Sequence, residues 1–172
     1  MIEKSTKEKI ISIFFDNPTE EYHLRELSRL LKLSMPTIIS ITDDLVKEKL
    51  IIKIKGKVLT KVKANREEIK FLRYKQIYNL KKIYDSSVIE YLIKEYNHPE
   101  SIILFGSFSR GEDIEKSDID IAIITKKKLE LKLDKYSKML KKIISIHEIN
   151  LEKISDEFKA NLANGMILEG SW

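Results

Sequence analysis

The sequence predicts an α+β protein in two parts, and three observations carry that expectation. Apolar residues recur at helical spacing through roughly the first fifty positions, then switch to alternation with lysine between 52 and 63. A second helical tract covers 66–96. Beyond it lie two short apolar runs, "SIILF" and "DIDIAII", with the length and composition of buried strands.

Thr6 to Phe15 reads as an amphipathic helix with Ile10, Ile13 and Phe14 on one face, and "NPTEE" breaks it. "YHLRELSRLLKLS" continues as a second helix, with Leu24, Leu27, Leu30 and Leu31 at helical spacing. Ser34 is an N-cap candidate, and Pro36 falls in the first turn, where its missing N–H costs nothing. The third helix runs from Met35 to about Lys49 and carries Ile38, Ile41 and Leu45 on one face. Next, Ile52, Ile54, Val58 and Val62 alternate with Lys53, Lys55, Lys57, Lys61 and Lys63, and Gly56 marks a turn: a basic β-hairpin.

Three helices followed by a hairpin, in this order, resemble a winged helix-turn-helix over about residues 1–65. That resemblance implies DNA binding, with the helix after Ser34 in the major groove. Thr37 and Ser40 would sit on that helix, and Lys53, Lys55 and Lys57 of the wing would contact phosphates. The helix has no Arg, Asn or Gln to read bases and carries Asp43 and Asp44, which argues against strong sequence specificity. A protein-binding module, or a lysine-rich edge that blocks aggregation, is the competing reading.

Composition bounds the rest. The chain has 172 residues, 42% hydrophobic and 34% charged, and is expected to fold as a soluble globular protein of one or two domains. Net charge is +5 and the sequence pI about 9.1, which permits a polyanionic partner without requiring one. Cysteine is absent, so disulfides and thiolate metal sites are excluded. His23, His98 and His147 show no paired zinc spacing. No apolar run reaches the ~20 residues of a membrane helix, and "MIEKSTKEKI" lacks the apolar core of a secretion signal. A cytoplasmic protein with no membrane partner is the expectation.

From 66 to 85 a helical connector is expected, striped by Ile69, Leu72, Ile77, Leu80 and Ile83 with Phe71, Tyr74 and Tyr78 nearby. The stripe suits core packing, an interdomain surface or the seam of a homodimer. Asp85-Ser86 is a cap candidate for a further helix, "SVIEYLIKEY".

The chemistry concentrates in "LFGSFSRGEDIEKSDIDIAII", Leu104 to Ile124. Gly106-Ser107 ends the first strand and opens a short helix, where backbone N–H groups without intrahelical partners suit a phosphate. "SDIDIAII" begins a second strand. Alternation puts Asp118 and Asp120 on one side, with Ile119 and Ile121 opposite. Two like charges on one face disfavour each other unless a cation lies between them. Hard oxygen ligands in this pattern suit Mg²⁺ bridging to substrate phosphates.

An apolar strand, Gly-Ser, Arg-Gly, then Ser-Asp-x-Asp resembles the minimal nucleotidyltransferases of the DNA polymerase β-like superfamily, over about residues 86–172. The residues that match are Gly106, Ser107, Arg110, Gly111, Ser117, Asp118, Asp120 and Ile121. The resemblance implies a mixed β-sheet flanked by helices, with Asp118 and Asp120 as catalytic metal ligands for Mg²⁺ or Mn²⁺. It also implies that Gly106, Ser107, Arg110 and Ser117 hold ATP or another nucleoside triphosphate. Arg110 is equally readable as an ion-pair partner of Glu112 or Asp113.

Active members of that family add a third carboxylate from a neighbouring strand, expected here in "KIISIHEINLEKI" after a helix over about Leu131 to Lys141. His147 or Glu148 is the candidate. Ile144 and Ile146 look like core, which favours His147 on the metal side, whereas a bulge would bring Glu148. A helix from Ser155 and a last short strand, "MILEG", follow. Two functions emerge. The first is a nucleotidyltransferase moving AMP from ATP to an acceptor, in the manner of antitoxin-like members that modify a HEPN-type partner protein. The second is a DNA-binding regulator whose degenerate nucleotidyltransferase domain only binds a nucleotide or a partner.

Overall fold

The structure, a computed structural model, describes residues 5–56 and 60–171. The chain divides into two compact units, Met1–Lys75 and Gln76–Trp172. Charge divides with it: residues 1–75 carry a net +6 and residues 76–172 a net −1.

In the first unit, α1 spans Thr6–Asp16. Ser5 caps it, its hydroxyl accepting from the Glu8 amide while the Glu8 carboxylate accepts from the Ser5 amide at 2.7 Å. A short strand, β1 (Glu21–His23), precedes α2 (Leu24–Leu31), and α3 covers Met35–Lys47 with Ser34 as N-cap. Strands β2 (Ile51–Lys55) and β3 (Thr60–Ala64) close a three-stranded antiparallel sheet in the order β1-β3-β2. Ile10, Phe14, Leu27, Ile38, Leu45 and Val62 are completely buried and form the interior of this unit.

Two expectations need correction here. The second helix does not reach back to Tyr22. Glu21, Tyr22 and His23 instead pair with Lys63, Val62 and Lys61, and the Tyr22 ring packs edge-on against Phe14 at 5.7 Å. Leu30, read as part of the apolar face, is 60% exposed.

Helix α4 spans Ile69–Ser86. Ser87, in the left-handed region at φ 58°, turns the chain directly into α5 (Val88–Tyr96). The Ser86 hydroxyl donates to the Ile83 carbonyl and accepts from the Val88 amide, so it serves both helices.

The second unit is a four-stranded mixed sheet, built from β4 (Ser101–Phe105), β5 (Ile119–Ile124), β6 (Ile144–Ile149) and β7 (Met166–Gly170) in the order β6-β5-β4-β7. β5 and β6 are parallel; the other pairs are antiparallel. Besides α5, the helices α6 (Gly106–Arg110), α7 (Asp134–Leu140) and α8 (Asp156–Ala163) belong to this unit. Helix α7 is shorter than the 131–141 expected, because 126–133 runs as irregular chain.

Alternation along the strands splits the core in two. Ile102, Leu104, Ile119, Ile121, Ile123 and Ile144 pack under α5 and α7. Ile103, Phe105, Ala122, Ile124 and Ile149 pack under α8, against Leu162 and Phe158. Asp120 shares this second face but lies beyond the part that α8 covers, with 31% of its side chain exposed.

Candidate active site

The site grows from the sheet register. Phe105 pairs with Asp120 across β4 and β5; Ser145 pairs with Asp120, and His147 with Ala122, across β5 and β6. Asp118, Asp120, Ser145 and His147 therefore share one face. The Ser145 hydroxyl donates to Asp118 Oδ2 at 3.4 Å, and His147 Nε2 lies 3.2 Å from Asp120 Oδ1. Phe105 walls the site: its ring meets the His147 ring edge-on at 5.1 Å and the Phe158 ring at 5.8 Å.

Gly106 turns the chain from β4 into α6 at φ +75°. A Cβ at this position would lie 2.6 Å from Asp120 Oδ2. Glycine is thus required twice, for its backbone conformation and for the closeness of its backbone to a carboxylate. Ser107 follows, half-buried, at the first turn of α6.

The other nominated residues are placed differently. Arg110 Nε donates to Glu112 Oε2 at 2.8 Å, an ion pair about half exposed on both sides. The Ser117 hydroxyl accepts from the Ile114 amide at 3.0 Å and closes the loop before β5. Glu148 points to the opposite face of the sheet. There its Oε1 accepts from the Tyr96 hydroxyl at 2.7 Å and from the Leu129 amide at 2.6 Å. Burial, reinforced by the Glu148 carboxylate, holds the Tyr96 hydroxyl well above the ordinary tyrosine range.

In the first unit, Thr37 shares a 2.7 Å hydrogen bond with the Ser34 hydroxyl, and Ser40 is exposed on α3. The Lys53 ammonium is ion-paired with Asp43, and Lys61 with Glu21 at 3.2 Å. Lys55 belongs to β2, and Lys57 lies outside the described residues.

Sequence reasoning missed a set of buried polar groups beneath the loop that leads into Asp118. Asn79 Nδ2 donates to Asp113 Oδ1 at 2.7 Å and to the Phe108 carbonyl at 2.9 Å. Lys142 Nζ lies 3.3 Å from Asp113 Oδ2, with 7% and 2% of the two side chains exposed. The only trace of this in the sequence is a lysine beside an apolar strand, a pattern that exposed lysines share.

The donor set fits a hard divalent cation in a particular way. Two aspartates and one imidazole face one another, yet no three acidic or imidazole groups among the described residues converge closely enough to hold a metal by themselves. Such a set suits a cation that takes much of its shell from water and substrate phosphate.

The comparisons with known proteins agree with this geometry. The family model described as polymerase beta, nucleotidyltransferase matches residues 86–170. A protein of Methanocaldococcus jannaschii, assigned as a protein adenylyltransferase, is 35% identical over 77 residues, which cover 40% of this chain and 77% of that protein. No solved structure matches the chain. The matched segment begins where α4 ends and contains the whole carboxylate face. The chain belongs to the polymerase beta nucleotidyltransferase family, and it is a nucleotidyltransferase.

Proposed function

We propose that the second unit transfers AMP from ATP to a hydroxyl of a protein acceptor, using Mg²⁺ or Mn²⁺. The observation that carries this reading is the pairing of Asp118 and Asp120 on one sheet face, with the Gly106 backbone against Asp120. The choice of AMP and of a protein acceptor leans on the relative from M. jannaschii, whose assigned name specifies both.

In this mechanism Asp118 and Asp120 would hold the cation, and His147 flanks Asp120 and orients its carboxylate. When bound, the cation neutralises triphosphate charge and polarises the phosphoryl oxygens. The Gly106-Ser107 backbone would receive the phosphates, beside the Asp120 carboxylate that the missing Cβ at Gly106 lets close against it. The acceptor hydroxyl attacks the α-phosphorus in line. The new O–P bond forms as the bond to the β-phosphate breaks, and pyrophosphate leaves with the electron pair. The acceptor proton passes to solvent or to a carboxylate on this face. Phe105 packs against the rings of both His147 and Phe158 and forms the apolar wall of the site.

The first unit we read as a winged helix that binds DNA. Its element order of helix, strand, two helices and two strands supports the reading, as does its net charge of +6. A regulator with a non-catalytic nucleotide site is the second reading, and one observation favours it. His147, not Glu148, lies against Asp120 on the face where the resemblance implies a third carboxylate in active members.

Calorimetric titration with ATP separates these readings from a purely structural role. Wild type should bind ATP with Mg²⁺ and lose that binding in EDTA. Two carboxylates and a triphosphate repel one another until a cation lies between them. Asp118→Asn with Asp120→Asn should abolish the metal-dependent binding and leave the fold intact. Equal binding by both proteins, with or without metal, would remove the catalytic reading. Transfer of label from [α-³²P]ATP to a protein acceptor then separates enzyme from sensor.

A further inference from the structure

We infer that Lys142 is a positioning residue for Asp118. This rests on the reading of Asp118 as a cation ligand. Lys142 Nζ donates to the carbonyls of Ile114 and Ser117, the latter at 3.2 Å, and lies 3.5 Å from that of Glu115. The same ammonium is 3.3 Å from Asp113 Oδ2. An ammonium has three protons and no acceptor, so it can tie several oxygens around one point, as this loop requires. Burying it is costly unless it is paired and hydrogen-bonded, and here it is both.

The placement of these bonds matters more than their number. The Ser117 carbonyl belongs to the peptide that joins Ser117 to Asp118. On the other side of Asp118, the Ile119 amide donates to the Ile143 carbonyl at 2.8 Å. Asp118 is therefore fastened before and after itself to one dipeptide, Lys142-Ile143, at the entrance to β6. Lys142 is held in turn: its amide donates to the Ser137 carbonyl at 3.2 Å, and Lys141 before it is left-handed at φ 56°. Asn79 holds the other oxygen of Asp113, so the carboxylate that faces the ammonium cannot swing away.

Asp118 itself is exposed, and among the described residues its carboxylate has only the 3.4 Å contact from Ser145. An exposed side chain gains precision chiefly from its backbone. A ligand pair has to be held to within about half an ångström to favour one geometry. Lys142 supplies that from beneath the loop, without reaching the site.

The test uses the full chain with Lys142→Met, which removes the ammonium and keeps the side-chain length. Two readouts are needed. Hydrogen exchange by mass spectrometry should show amides of 111–118 exchanging at least tenfold faster, with α8 and β7 unchanged. Titration of Mn²⁺ at fixed ATP should show the Mn²⁺ midpoint rising about tenfold, while ATP affinity at saturating Mn²⁺ is retained. A lysine that only stabilised the fold would lower the bound amplitude and leave the midpoint in place. An unmoved midpoint in a chain that still binds ATP overturns the inference, as does unchanged exchange at 111–118. Wild type that fails to bind ATP with Mn²⁺ overturns the underlying reading and this role with it. If Lys142→Met does not fold, Lys142→Gln, whose shorter, uncharged amide loses the ion pair with Asp113 and cannot span the same carbonyls, is judged by the same two measurements.

Discussion

Gly106→Ala is the most searching single perturbation of the site, because structure and chemistry meet there. Two costs follow from the geometry. An L-residue held at φ +75° pays roughly 1–2 kcal/mol for the left-handed conformation. The new Cβ would also lie 2.6 Å from Asp120 Oδ2, where ordinary contact begins at 3.4 Å, so the carboxylate must retreat by about 0.8 Å. Asp120 is about one-third exposed and yields toward solvent, breaking its contact with His147. The expected stability loss is therefore about 1–2 kcal/mol, a fall in melting temperature of roughly 2–8 °C for a chain of this size. The loss of ATP binding should be larger in proportion, about tenfold to a hundredfold, because a displaced ligand misplaces whatever it holds. Gly170→Ala is the matched control. It has a similar φ of +76°, and its Cβ would lie 2.1 Å from the Glu100 carbonyl oxygen, away from the carboxylates. It should destabilise at least as much and bind ATP normally below its own melting temperature. Thermal unfolding and calorimetry on the two variants decide the matter. A Gly106→Ala protein that binds ATP as wild type does would refute the proposed closeness of backbone, carboxylate and substrate.

Three further outcomes are expected. His147→Asp should tighten Mg²⁺-dependent ATP binding several-fold and lower stability without metal, since a third carboxylate then faces Asp120; calorimetry and melting curves in EDTA read both. Tyr96→Phe removes the hydrogen bond to Glu148 and should cost about 1–2 kcal/mol in denaturant titrations. The raised Tyr96 pKa contributes stability that is complete below the ordinary value of 10.0 and is lost as pH climbs above it, so the alkaline decline should be shallower in the Phe variant. In the first unit, Lys53→Gln, Lys55→Gln and Lys57→Gln together should weaken DNA binding and reduce the log–log salt slope by about two rather than three, because Lys53 is already neutralised by Asp43. An unchanged slope by fluorescence anisotropy would exclude the wing as the phosphate contact.

Much of the second unit was legible because strand alternation has only two outcomes. Once Ile119 and Ile121 are core, Asp118 and Asp120 must face the other way. Once Ile144 and Ile146 are core, so must Ser145 and His147. What alternation cannot convey is partnership. Nothing local marks Lys142 as buried, since its charge is satisfied by Asp113, 29 positions earlier in the chain. Nor does anything local tie Lys53 to Asp43 across β2 and α3, a pairing that alters the expected role of the wing. β1 was hidden for a related reason. Three residues are too few to show a period, and Glu21–His23 becomes a strand only because β3 offers an edge. The sequence marks Gly106 as a turn, but its contact with Asp120 belongs to the folded sheet alone.

The sheet order also sets a schedule for folding. β4 is buried at every position and pairs on one side with β5, which follows it closely. Its other neighbour is β7, about sixty residues further along. Closing that long loop is entropically slower than zipping the β4–β5 hairpin. Until β7 docks, "SIILF" presents an unpaired apolar edge, the kind of surface through which partly folded chains join one another. Solubility during synthesis therefore depends on how quickly "MILEG" finds its place, and a chain shortened before Met166 should aggregate even though every residue of the carboxylate face is still present.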